Sequence, residues 1–240
     1  MQNHTLHRSS LYSGHMKLMI DGLFGLLAPN QCIACGTEGS VMCDSCVELA
    51  GEPVVPRCAG CHKLSDNYRT CLSCRSWLEP HSVIVTTNYD GIYEQLTREL
   101  KFNSKRQSAQ PIARMMTDLL PEVSKNMVIC PLPTAPARIR QRGFDHTKLI
   151  AKYIAEYSNM NIGYFLGRRS NVRQLGSNRA QRLEQMEHEF FVKPRTDIAG
   201  KSILLVDDVV TTGASLSAAA KTLKKAGAKR VTAVVFAQKI

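Results

Sequence analysis

From residue 82 onward, short apolar runs alternate with stretches of helical spacing. Ser82-Val83-Ile84-Val85-Thr86-Thr87 is apolar and β-branched and predicts a strand. Gly91 to Phe102 predicts a helix. Ser108 to Leu120 predicts a second, with Ile112, Met115, Met116 and Leu119 on one face and Pro121 closing it. Met127 to Cys130 is a short apolar strand that runs into Pro131-Leu132-Pro133-Thr134, and a helix is expected from about Lys148 to Tyr157. Ile203-Leu204-Leu205-Val206 forms another strand, followed by an alanine-rich helix that stops at Ala226-Gly227, where glycine suits a C′ position. Val231 to Ala237 is the last strand. Strands separated by helices imply an α/β domain whose mostly parallel sheet carries helices on both faces. Ligands of such sheets sit at the carboxyl ends of the strands.

The first eighty residues follow a different pattern. Residues 1–16 are polar and without periodicity, as expected of a disordered tail. Leu18, Met19, Leu23, Phe24, Leu26 and Leu27 suit a short amphipathic helix that packs on the rest of the protein. No run approaches the ~20 apolar residues that span a bilayer, and Asp21 interrupts the early apolar segment. Stable membrane insertion is therefore not expected, and no signal cleavage site is visible, which gives a cytoplasmic expectation.

Eight of the nine cysteines then fall in four pairs: Cys32/Cys35, Cys43/Cys46, Cys58/Cys61 and Cys71/Cys74. A two-residue gap lets both thiolates of a tight turn face one ion, so two such knuckles complete a tetrahedral S4 zinc site. Four knuckles imply two structural zinc ions with no open coordination place. Hairpin-sized gaps favour sequential pairing, and alternate pairing would give a cross-braced module. Gly36 and Gly60 flank two knuckles, where a positive φ is useful. Cys130 has no partner and reads as a small buried hydrophobe. The chain thus divides into a tail (1–16), a helix with a double zinc ribbon (17–80) and an α/β domain (81–240).

The 240 residues carry a formal net charge of +11. That balance favours polyanionic partners, whether phosphates or nucleic acid. The cations gather in two places: Arg138, Arg140 and Arg142 between a strand end and a helix start, and Arg168, Arg169, Arg173, Arg179 and Arg182 in a segment that reads either as a solvated helix or as a lid over an anionic ligand.

The chemistry centres on Ile203-Leu204-Leu205-Val206-Asp207-Asp208-Val209-Val210-Thr211-Thr212-Gly213-Ala214-Ser215. Thr211, Thr212, Gly213, Ala214 and Ser215 precede or open a helix, where unpaired N–H groups and hydroxyls suit an anion. Asp207 and Asp208 repel an anion and suit sugar hydroxyls or a divalent metal beside it. The stretch resembles the 5-phosphoribosyl-1-diphosphate (PRPP) motif of type I phosphoribosyltransferases. That resemblance implies that the acid pair meets the ribose 2- and 3-hydroxyls, that the loop holds the 5-phosphate and that Mg²⁺ accompanies PRPP.

The layout of the whole chain resembles the ComF (ComFC) family of competence-associated proteins. Its marks are the apolar helix ending in Leu-Ala-Pro, the cysteine knuckles, the Tyr89…Gly91…Leu96…Lys101-Phe102 run, Pro131-Leu132-Pro133, Arg142-Gly143-Phe144, and Gln174 and Arg182 with Phe190. Where the family usually has Asn-Gln after Arg-Gly-Phe, this chain has Asp145-His146, which sets a negative charge beside the proposed phosphate site. The resemblance implies uptake of single-stranded DNA in natural transformation, with a competence helicase or DNA-processing protein as a further partner. It also implies PRPP chemistry, with diphosphate received by Pro131, Leu132, Pro133, Thr134, Arg138, Arg140 and Arg142. An active phosphoribosyltransferase of unknown acceptor and a PRPP-sensing regulator are the alternatives.

Overall fold

The computed structural model describes residues 30–50, 54–122, 126–169 and 189–239. The tail, the Leu18–Ala28 helix and most of the basic 168–182 segment, with Gln174 and Arg182, lie outside the described residues. After a short helix α1 (Asp44–Leu49) come β1 (Val83–Asn88), α2 (Gly91–Lys101), α3 (Ala109–Asp118), β2 (Val128–Pro131), α4 (Pro136–Arg142) and α5 (His146–Ser158). β3 (Leu166–Arg168), β4 (Phe190–Val192), β5 (Ser202–Val210), α6 (Ala214–Lys225) and β6 (Arg230–Gln238) follow. Four strands form one parallel sheet in the order β1-β6-β5-β2, and β3 and β4 form a small antiparallel pair.

Side-chain alternation sorts the sheet residues into two cores. Ile84, Ile129, Leu204, Val206, Val234 and Phe236 face α2, α3 and α5. Val83, Val85, Cys130, Ile203, Leu205 and Val235 face α6. Cys130 is fully buried, as its lack of a partner suggests.

Cys32, Cys35, Cys43 and Cys46 form one cluster and Cys58, Cys61, Cys71 and Cys74 the other, so the pairing is sequential. A tetrahedral S4 zinc site with ~2.3 Å bonds has sulfur–sulfur edges of about 3.8 Å. The Cys35–Cys43 and Cys61–Cys71 sulfurs lie 3.7 and 3.6 Å apart. In each cluster one backbone N–H donates to a sulfur, Cys43 to Cys32 and Cys71 to Cys58, both at 3.4 Å. Hydrogen bonds from Cys43 and Cys35 push the Cys46 thiol up to about 12. Burial, with the neighbouring thiols, pushes Cys74 up to about 12. Crowded thiols resist ionising together, and a bound divalent cation reverses that preference. Both clusters therefore fit zinc.

The two ribbons pack on opposite faces of the sheet. Val41, Met42 and Val47 of the first join the α2–α3–α5 core, and Ala59 of the second, with Leu78 just after it, joins the α6 core. Gly36 does adopt a positive φ of 77°. Gly60 does not: a Cβ there would lie 2.7 Å from the Trp77 ring and 2.8 Å from the Cys74 sulfur, so the site needs glycine for close approach.

Candidate functional site

β5 is longer than its apolar run. It continues through Asp207 and Asp208 to Val210, because β6 pairs with it along that length. The acids therefore stand on a strand and point to opposite sides of the sheet. Gly213 follows with φ 75° and begins α6, whose first-turn amides have no acceptor within the helix. Its position is tight: a Cβ would meet Leu78 at 3.0 Å. Ser217 in that first turn donates to the Trp77 carbonyl at 2.6 Å and accepts from the Glu79 N–H at 3.2 Å. The segment after the second ribbon thus buttresses the loop.

The strand ends, α4 and the base of the β3–β4 pair enclose a crevice of about 550 Å³. Of the residues expected there, Asp207, Asp208, Thr211, Ser215, Leu132, Pro133, Thr134, Arg138 and Arg142 line it. Pro131, Thr212, Gly213, Ala214 and Arg140 do not line it. Arg140 is displaced for a simple reason. Pro136 starts a helix and left-handed Gly143 ends it, so the Arg138–Arg142 stretch is helical. Residues four apart share a helix face and residues two apart do not. Lys101, His146, Arg168, Arg169, Glu189, Tyr89 and Lys239 also line it. Six cations then face three acids, which suits a polyanionic ligand.

The phosphoribosyl transferase domain family matches residues 146–240. Competence protein ComFC of Streptococcus pneumoniae is 29% identical over 195 residues, covering 79% of this chain and 82% of that protein. Competence protein ComFC of Bacillus subtilis is 27% identical over 200 residues, covering 78% and 79%. Among solved structures, the allosteric regulatory enzyme of purine biosynthesis aligns at 17% identity and a TM-score of 0.38, covering 54% of this chain and 25% of that one.

The chain is similar to the ComFC competence proteins over about four fifths of its length.

In this crevice the acid pair is held unevenly. Asp208 forms an ion pair with Lys101 through Oδ2, and His146 Nε2 lies 3.3 Å from the same oxygen. Oδ1 accepts the Val209 N–H at 2.8 Å. Burial raises the Asp208 pKa, but Lys101 and His146 outweigh it and hold the carboxyl well below the usual range. Asp207 is pushed up by burial and by the charge of Asp208, and its Oδ1 accepts the Asp208 N–H at 2.9 Å. One firm negative charge therefore resides on Asp208. Arg142 donates to His146 Nδ1 at 2.9 Å. Arginine only donates, so Nδ1 accepts and the ring proton sits on Nε2, facing Asp208.

The pair is a poor cage for magnesium, which demands octahedral oxygen coordination.

Asp145 does not project a charge at the ligand. It caps α5, accepting from Thr134 at 2.9 Å, from Thr147 at 2.7 Å and from the Lys148 N–H. It fixes the Pro133–Thr134 loop instead. Arg168 pairs with Glu189 at 2.7 Å and donates to the Pro133 carbonyl at 3.4 Å, tethering the same loop from the other side. Lys101 and His146 are the partners that motif spacing missed. Lys101 lies in the Leu96…Lys101-Phe102 run, and its isolation at the end of an apolar helix face is the signal that could have found it.

Proposed function

We propose that the crevice binds PRPP and that the protein serves competence by handling single-stranded DNA. The observation that carries the PRPP reading is convergence. An acid pair at a strand end, a helix N-terminus and an arginine wall from 138 and 142 meet in one space. Asp207 would face the ribose hydroxyls, with Asp208 fixed beside it. The Thr211–Ser215 turn would take the 5-phosphate. Pro133, Thr134, Arg138 and Arg142 would take the diphosphate. Magnesium would be held by the ligand's own oxygens. If C1 chemistry follows, Asp207 and Asp208 temper the positive charge that develops as diphosphate leaves, and positioning supplies most of the effect.

Titration calorimetry tests this. Wild-type protein releases heat on PRPP addition in magnesium buffer. Ser215→Asp, which sets a carboxylate against the 5-phosphate, weakens binding by at least about tenfold, the scale of one charge-assisted hydrogen bond. A silent wild-type titration ends the PRPP reading.

A second observation favours the DNA reading. Arg142 lies over Phe102 at 5.6 Å, Arg106 over Phe144 at 5.0 Å, Arg169 over Phe191 at 5.8 Å and Lys239 over Tyr89 at 5.9 Å. Phe102 is 66% exposed. Exposed rings beside cations are what single-stranded bases stack on. Arg106→Ala with Arg138→Ala should lower the salt slope of oligonucleotide binding by about 0.7 per lost phosphate contact. An unchanged slope removes this wall from the DNA path. A helicase or DNA-processing partner would dock on the second ribbon, where Leu64 and Leu72 are exposed.

A further inference from the structure

We infer that Lys101 is a phosphate-binding residue of the crevice, its ammonium seated on Asp208 where a divalent cation would otherwise bridge that carboxylate to the ligand. The inference rests on the phosphorylated-sugar reading above. The Asp208 side chain is 6% exposed. Its Oδ1 accepts the Val209 N–H, and its Oδ2 lies against the Lys101 ammonium and the His146 ring. Displacing Lys101 would leave a buried carboxylate with only the His146 ring and an amide, which is costly. A ligand gains more by keeping the ammonium in place.

The geometry allows that. An ammonium has three donors, and Asp208 engages one. The Lys101 side chain is 17% exposed and lines the crevice beside Thr134, Arg138 and Arg142. The remaining donors are therefore available to a phosphoryl oxygen. A divalent ion set on the same Asp208 oxygen would lie within a few ångströms of the ammonium and repel it. Asp208 thus acts as a positioning residue for Lys101, and Lys101 as the ligand contact.

The test uses full-length, zinc-loaded protein in magnesium-free buffer without chelator, so that the cysteine sites stay filled. Calorimetry is run with inorganic diphosphate, PRPP and ribose 5-phosphate, with and without added Mg²⁺. Wild-type protein binds diphosphate and PRPP without Mg²⁺, and adding the metal changes affinity by less than about threefold, below the loss of one hydrogen bond to a charged group. Lys101→Met weakens both by about 10- to 100-fold in either buffer, leaves ribose 5-phosphate within about twofold, and Lys101→Arg restores most of the loss. Because Lys101→Met leaves Asp208 unpaired, the double variant Lys101→Met/Asp208→Asn is run beside it and also binds diphosphate weakly. Wild-type-like or tighter diphosphate binding by either methionine variant overturns the inference, as does a wild type that binds PRPP only with Mg²⁺. A wild type that binds PRPP in neither buffer overturns the phosphorylated-sugar reading itself.

Discussion

Asp208→Asn lowers the thermal midpoint by about 6–12 °C, whereas Asp207→Asn raises it. The two acids are adjacent in sequence and opposite in energetics. Asp208 holds an ion pair with Lys101 and a contact with His146 inside the crevice wall. Removing one partner of a buried pair costs about 3–5 kcal/mol. The low end applies here because Lys101 retains some access to water. For a chain of this size each kcal/mol is worth about 2–4 °C. Asp207 carries a charge that burial and Asp208 oppose. Asparagine keeps the acceptor for the Asp208 N–H and drops that charge, a gain of about 1 kcal/mol of the kind seen when a strained functional site is relieved.

The pH dependence separates the two further. A folded pKa below the unfolded value of about 3.9 stabilises above that value. The Asp208→Asn deficit is therefore flat between pH 8 and pH 6. A raised folded pKa destabilises above itself, so the Asp207→Asn gain narrows as pH falls through that value. Calorimetric melts of both variants across this range check the assignment. A destabilised Asp207→Asn protein would refute the uneven charge on the pair.

Opening the second cysteine site abolishes most phosphate affinity, and opening the first does not. Trp77 and Leu78 come just after Cys74, past Arg75 and Ser76, and seat under Gly213, and Ser217 is held by the Trp77 carbonyl and the Glu79 amide. The anion loop is therefore braced by a segment whose shape depends on the Cys58/Cys61/Cys71/Cys74 site. Structural zinc contributes on the order of 10 kcal/mol to such small modules. Cys74→Ser should lose one zinc per chain and weaken PRPP or diphosphate binding by more than about tenfold, the cost of losing preorganised donors. Cys35→Ser should lose the other zinc and destabilise the α2–α3–α5 face, with phosphate affinity within about threefold of wild type, less than one charge-assisted hydrogen bond. Elemental analysis with calorimetry on both variants decides it. Equal losses of affinity would show that the brace is global.

Much of this was legible in the linear chain because its signals are local. The strand at 82–87, the helix stripe at 112–119 and the cysteine knuckles each depend on residues a few positions apart. Apart from β5, which runs four residues past its apolar stretch, each expected element is found within one or two residues of its bounds, and both cysteine clusters form. The Asp207–Ser215 stretch likewise reads as two acids leading into a hydroxyl-rich turn before a helix, and the helix starts at Ala214. Local pattern did not reach Arg138–Arg142. Pro136 and Gly143 turn that stretch into a helix, which withdraws Arg140 from the crevice that Arg138 and Arg142 line. Asp145, which looks like a charge aimed at a phosphate, is consumed as a helix cap.

By itself the sequence determined the strand–helix alternation, two four-cysteine clusters and an acidic pair leading into a hydroxyl-rich turn at a helix start. It could do so because burial period, knuckle spacing and helix starts are encoded within a turn or two of chain. Only the tertiary structure decided which acid keeps its charge. That depends on Lys101, more than a hundred residues away in the chain, and on His146 with Arg142 behind it. The structure likewise decided that the second zinc site braces the anion turn. Charge partners and braces of this kind come from distant segments, and the packing of the sheet's two faces alone brings them together.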